Sequence, residues 1–214
     1  SMRGRLWTGV LLMSIAGVVS GGPAEGVVLP SPRTEGGMAL MEALRARHST
    51  REFSTRALPP QVLSDLLWAT TGVNRPESGK RTAPSARDWR EIDVYVALAD
   101  GAYRFDPVAH TLQRVAARDI RALTGTQDFV PQVPVNLVYV ANLDRMTGAA
   151  AEQQSFYAAT DAGFIAQNVY LYCASAGLAT VVRGSVDRQA VAAALGLGPR
   201  QQVVLAQSVG YPRD

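Results

Sequence analysis

Arg47-His48-Ser49-Thr50-Arg51-Glu52-Phe53 gathers three full or potential cations and a hydroxyl just where a helix is expected to end. Arg forks match phosphate oxygens bidentately, Ser adds a short neutral donor, and His can donate from either nitrogen, so the composition is that of a phosphate cradle. On its N-terminal side Met38, Met41 and Leu44 fall on one helical face that runs into the motif. On its C-terminal side Pro59-Pro60 opens a second helix, which Leu63, Leu66, Leu67 and Thr70 continue and Gly72 ends.

Residues 75–90 are polar, punctuated by Pro and Gly, and read as a loop. Residues 92–98 then read as a strand, turned by Asp100-Gly101 into a second at residues 102–105; Asp106-Pro107 begins a further turn before residues 111–115. Residues 135–141 have the β-branched content of a largely buried strand. Residues 151–176 lack Pro and are apolar or small around most of the helix they predict, so burial on several sides is expected, with Gly177 as the C-terminal stop. A short strand at residues 180–182, a helix capped by Asp187 and a last strand at residues 202–209 complete the chain. Helices and strands in this irregular order predict an α+β fold with a sheet covered by helices, and argue against a doubly wound parallel sheet.

With 214 residues and 47% hydrophobic content the chain suffices for one domain with a substantial core. Residues 1–24 read as a signal peptide preceded by a cloning remnant: Ser1 stands before Met2, and Met2-Arg3-Gly4-Arg5 leads an apolar stretch followed by Ser20-Gly21-Gly22. The alternative for residues 6–19 is an ordered apolar arm on a partner. Residues 25–37 read as a linker and residues 38–214 as the domain. Export to a periplasm is expected if the signal operates, and a cytoplasmic location otherwise, with no stable membrane insertion after processing. Removing Arg3 and Arg5 from a net charge of +3 leaves +1, so no nucleic-acid partner is expected. The single cysteine, Cys173, excludes an intrachain disulfide and a thiolate-rich metal site, and reads as a buried small residue. No metal is expected: of the two histidines, His48 lies between arginines and suits anion binding, while His110 in a turn reads as a surface residue. No Gly-rich nucleotide loop is present. Few acid/base candidates beside a phosphate cradle point to an enzyme whose cofactor performs the hard chemistry.

From about Met38 to Arg213 the chain resembles the FMN-dependent nitroreductase family, in the branch related to dehydrogenases of thiazole/oxazole-modified peptides. Residues 47–53 are similar to that family's opening flavin motif, Thr82-Ala83-Pro84-Ser85-Ala86-Arg87 to its Pro-Ser-Ala loop, Asp161-Ala162-Gly163 and Gly177-Leu178-Ala179-Thr180 to its long helix and the loop after it, and Val209-Gly210-Tyr211-Pro212-Arg213 to its C-terminal segment. The resemblance implies a three-layer fold with a mixed central sheet, a homodimer with flavins at the interface, and hydride transfer through flavin N5 by alternating reduction and oxidation. It implies that Arg47, His48 and Ser49 hold the FMN phosphate and ribityl chain, with Arg213 near the phosphate. Arg51 would reach the pyrimidine edge and favour reduced flavin. Pro84, Ser85 and Ala86 would pack on the ring from the other subunit, and Gly177, Leu178, Ala179 and Thr180 would pass along it. NAD(P)H is the implied donor and a small quinone- or nitro-type molecule the acceptor. No catalytic side chain is identified.

The chain departs from the family after Ala86, where Arg87-Asp88-Trp89-Arg90-Glu91 replaces Gly or polar residues, placing Arg87 on the substrate side. It also has no Lys-Tyr pair before the long helix, which argues against azoline oxidation. The competing reading for Arg51 is an ion pair with Glu52 or another carboxylate, and for Arg87 a pair with Asp88 or Asp93. Two other functions are weighed: a flavin-binding or flavin-sequestering protein without turnover, and a structural dimer with no cofactor.

Overall fold

The computed structural model describes residues 26–214. In chain order these form strand β1 (Gly26–Val28), helices α1 (Leu40–Ala46) and α2 (Pro60–Thr71), and a small hairpin of β2 (Val73–Arg75) and β3 (Lys80–Arg81). A meander of β4 (Ile92–Leu98), β5 (Gly101–Asp106) and β6 (Thr111–Ala116) follows, then strand β7 (Val135–Asn142) and the long helix α3 (Ala151–Ala176). Strand β8 (Ala179–Arg183), helix α4 (Arg188–Leu195) and strand β9 (Gln201–Gly210) complete it. The signal segment expected at residues 1–24 lies outside the described residues. No described helix is long and apolar enough to cross a membrane.

Seven strands make one sheet in the order β1-β6-β5-β4-β7-β9-β8. Where the resemblance implies a mixed sheet, every pairing among the described residues is antiparallel. The return path explains this. β7 and β8 run in the same direction with α3 as their crossover, but β9 comes back through α4 and inserts between them, antiparallel to both.

Three layers follow from the alternation of side chains along the central strands. Ile92, Val94 and Val96 of β4 and Leu137, Tyr139 and Ala141 of β7 pack with Leu66 and Leu67 of α2 and Ile165 and Val169 of α3. Tyr95, Ala97, Val138 and Val140 point the other way, into a second core with Val191 and Leu195 of α4. Both faces are covered, which is why these strands read as continuous apolar runs although the sheet is antiparallel. At the sheet's end Arg183 is buried, donating to Ser208 Oγ at 3.1 Å, Asn136 Oδ1 at 3.1 Å and the Thr124 carbonyl, so it pins β8 to β9 and β7. Burial pulls its guanidinium down to about 10.

Local signals fix the ends of α3 and α4. Gly177 takes the left-handed conformation (φ 67°) that stops α3, and Asp187 Oδ1 accepts from Ala190 N at 3.0 Å to start α4. Cys173 is buried, as expected. Two placements differ from the sequence reading. The described part of the Gly/Pro-rich stretch 25–37 is built into the fold: β1 pairs with β6, Leu29 is buried, and Arg33 grips Asp65 through Nε at 2.8 Å and Nη2 at 2.7 Å. His110 is half-buried rather than superficial. Because the Ser64 hydroxyl proton goes to the Pro30 carbonyl, the His110 Nε2–H donates to Ser64 Oγ at 2.7 Å, and burial holds the imidazole below its ordinary value. The apolar face of α1 is uncovered in the single chain, with Met41 74% and Leu44 44% exposed. So is one flank of α3, where Phe156 and Phe164 face out while Ala158, Ile165 and Val169 face the sheet.

Candidate active site

The 47–53 stretch leaves α1 at Arg47, whose backbone turns extended (φ −56°, ψ 124°), and runs beside the edge strand β8. Thr50 N donates to the Thr180 carbonyl at 3.1 Å, Ser54 N to the Tyr211 carbonyl at 2.9 Å, and Arg213 N to the Glu52 carbonyl at 3.3 Å. These bonds bring the opening motif, the loop after α3 and the C-terminal segment together, three segments that the sequence places far apart. Tyr170, buried on α3, is the pin: its hydroxyl lies 2.7 Å from Ser49 Oγ and accepts from Val182 N at 3.0 Å, and the Arg47 guanidinium sits 5.2 Å from its ring centroid. His48 Nδ1 donates to the Ala46 carbonyl at 2.8 Å, which leaves Nε2 facing solvent.

Among the described residues none of Arg47, Arg51 and Arg213 forms an ion pair, so the expected competitor for Arg51, Glu52, does not take it. Three guanidinium groups without carboxylate partners, carried on segments that these backbone bonds hold together, leave hydrogen-bond donors to spare. The loop after α3 contributes backbone rather than side chains: Leu178 and Ala179 are buried, and the Thr180 hydroxyl turns inward to the Ser208 carbonyl at 2.8 Å.

Residues 84–87 sit elsewhere. Ala86 N donates to Asp161 Oδ2 at 2.9 Å, Ser85 Oγ donates to Glu91 Oε2 at 3.1 Å, and the same hydroxyl accepts from Arg90 N at 2.8 Å. Arg87, Asp88 and Arg90 all have positive φ (51°, 55° and 51°), a conformation costly for non-glycine residues. The loop holds it through a two-pronged Arg90–Asp88 pair at 2.7 Å and a bond from Arg90 to the Gly79 carbonyl at 3.0 Å. Arg90 takes Asp88 and Arg145 takes Asp93, at 2.9 Å, so neither carboxylate weighed for Arg87 pairs with it; its guanidinium lies 5.2 Å from the Trp89 ring.

α3 anchors both groups, one through Asp161 and the other through Tyr170. Nine residues at about 1.5 Å rise separate these anchors by roughly 13 Å along the helix. The two groups of residues therefore stand apart along α3.

Sequence reasoning missed Glu91 and Tyr170. Glu91, fully buried, supports the 84–87 loop, and its Oε1 has no donor among the described residues. Burial pushes its carboxyl up to about 7, aided by the Asp161 carboxylate within hydrogen-bonding reach. A protonated Glu91 has a donor to place at the open Oε1. The folded chain then binds this proton more tightly than the unfolded one, whose ordinary value is 4.5. The stabilisation is complete below 4.5 and is lost as pH rises through about 7. Glu91→Gln, with an amide donor facing Asp161, removes that loss. The variant is expected to melt roughly 3–6 °C above the parent at pH 8 and within about 1 °C of it at pH 5; equal shifts at both pH values would show that Glu91 holds no such proton.

The sequence profile of the Nitroreductase family matches residues 44–211. A nitroreductase-family protein of Methanocaldococcus jannaschii is 33% identical over 156 residues, covering 68% of this chain and 78% of its own. The crystal structure of a nitroreductase-family protein of Ralstonia eutropha superposes with a TM-score of 0.85 at 46% identity, covering 90% of this chain and 92% of that one. An NADPH:FMN oxidoreductase of Vibrio harveyi, solved with NAD+, shares the fold with a TM-score of 0.60 at 18% identity, over 82% of this chain and 69% of its own.

Proposed function

We propose, from the premise that this chain belongs to the nitroreductase family, that it is an FMN-dependent oxidoreductase acting as a homodimer on small organic molecules. The observation that carries the reading is that the segments bearing Arg47, Ser49, Arg51 and Arg213 are bonded together at the β8 edge, with none of the three arginines in an ion pair among the described residues. A flavin phosphate bears close to two negative charges, and Arg47 and Arg213 would neutralise it while Ser49 donates a neutral hydrogen bond. When bound, FMN supplies two-electron transfer between a donor such as NAD(P)H and a quinone- or nitro-type acceptor. Arg51 would lie toward the edge of the ring that gains negative charge on reduction and so favour the reduced state.

The homodimer reading draws on the 84–87 loop standing apart from the cradle. The 84–87 loop of one protomer would complete the cradle of its partner, and the exposed flanks of α1 and α3 supply an apolar surface for the contact. A stable association of this kind is expected to bury more than about 2,000 Å² in total. Arg87, free of carboxylates, would then present a cation on the substrate side.

The test is a visible spectrum of the purified protein, a count of FMN per chain, and oxidation of NADH and NADPH with a quinone or nitroaromatic acceptor. Yellow protein with about one FMN per chain and steady turnover is the expected result. Colourless protein that takes up no added FMN overturns the reading. Bound FMN without turnover with any donor and acceptor pair would leave a flavin-binding module instead.

A further inference from the structure

Beside the 84–87 loop a cavity of about 380 Å³ opens between β3, the start of β4, the end of β5 and α3. Its walls combine apolar side chains, among them Trp89, Ile92, Phe105 and Ile165, with the arginines 81, 90, 104 and 145 and the acids Glu91, Asp93, Asp106 and Asp161. We propose that this cavity is a binding site for a small organic carboxylate, with Arg81 as the countercharge. The assignment does not depend on the flavin reading.

Arg81 and Arg104 are the two of these four arginines with no carboxylate partner among the described residues, and Arg81 is the one held by two carbonyls. Arg90 is paired with Asp88, Arg145 with Asp93, and Arg104 donates to the neutral Gln113 Oε1 at 2.7 Å. Arg81 has only carbonyl partners, Gly79 O at 3.0 Å from Nε and Thr71 O at 3.2 Å from Nη1. Those two bonds fix the plane of the guanidinium and leave three of its five N–H donors without a partner among the described residues. A preorganised cation loses little freedom when an anion binds. Burial, together with the guanidinium groups of Arg90 and Arg145, holds Arg81 below the ordinary arginine value; the same surroundings that disfavour another positive charge favour an incoming negative one.

The charge of the ligand is also constrained. Asp106 and Asp88 act on Arg81, and Glu91, Asp93 and Asp161 also line the cavity, so a dianion would be repelled more strongly than a monoanion. The apolar walls call for a hydrocarbon or aromatic body, and a volume of about 380 Å³ is at the small end of ordinary ligand pockets. A monocarboxylate of about the size of benzoic acid meets both requirements.

The experiment uses the full chain as purified, with its flavin content recorded in every sample. Crystals soaked in 4-bromobenzoate are expected to show the bromine anomalous peak inside the cavity with the carboxylate on Arg81. By calorimetry, benzoate is expected to bind at least tenfold more tightly than the neutral isostere benzamide, and Arg81→Gln to lose at least tenfold in benzoate affinity. Should Arg81→Gln fail to fold, Val108→Trp tests the same site from the exposed rim, where a bulky ring closes the mouth and abolishes the bromine peak. A bromine peak only elsewhere, equal affinity for benzoate and benzamide, or displacement by an equal concentration of inorganic phosphate would each overturn the proposal. Any of these results with FMN still bound leaves the oxidoreductase reading intact.

Discussion

Arg47→Ala is expected to weaken FMN binding by roughly 1.5–3 kcal/mol, about ten- to 150-fold in dissociation constant. The full range is available because Arg47 has no carboxylate to release: among the described residues its one strong contact is the Tyr170 ring, 5.2 Å from the guanidinium. A cation already engaged by an acid would have repaid part of the loss. Arg47→Lys keeps the charge but not the planar fork, and is expected to fall between the two. Arg47 lies at the end of α1, only partly buried, so the flavin-free variant should melt close to the parent, which separates a binding loss from a folding loss. Unchanged FMN affinity in a titration would return Arg47 to the role of a solvated helix end.

Sequence reading succeeded where the cause is local. The run Ile92–Leu98, the stop of α3 at Gly177 and the Asp187 cap each depend on residues within a turn or two of one another, and the structure keeps all three. The sheet's pairing pattern depends on where β9 inserts, which no stretch of sequence announces; a mixed sheet was the natural expectation and an antiparallel one is found. The same division runs through the site. Residues 47–53 advertise anion chemistry by composition, but their pin, Tyr170, lies 121 positions from Ser49 and reads as one more apolar residue of a helix. Glu91 reads as a solvated carboxylate at the head of a strand. It is buried only because the loop before it folds back and because α3 supplies Asp161, whose link to that loop spans 75 positions. Arg87 is a case where the structure removes an alternative: both acids near it in sequence are taken by Arg90 and Arg145, which sequence proximity could not decide.

Phe164→Glu is expected to convert the proposed homodimer into monomers at micromolar concentration and to strip the proposed flavin with it. Phe164 is 44% exposed and Phe156 63% on the flank of α3 that turns away from the sheet, and α1, which packs on α3, adds Leu40 and Met41 at 63% and 74%. Covering a Phe side chain is worth about 1.5–3 kcal/mol, and a carboxylate buried in its place costs several more. A two-fold axis would count each change twice, so the expected loss exceeds what a standard interface can absorb. Val115→Glu is the control: also apolar and 38% exposed, but on β6, remote from α3, it should leave the dimer intact. Loss of FMN is expected to accompany loss of the dimer because the 84–87 loop of one protomer is proposed to complete the cradle of its partner. Sedimentation and the flavin spectrum read both effects in one sample. A Phe164→Glu dimer would move the interface off this flank, and a monomer still holding FMN would mean that one chain builds the whole site.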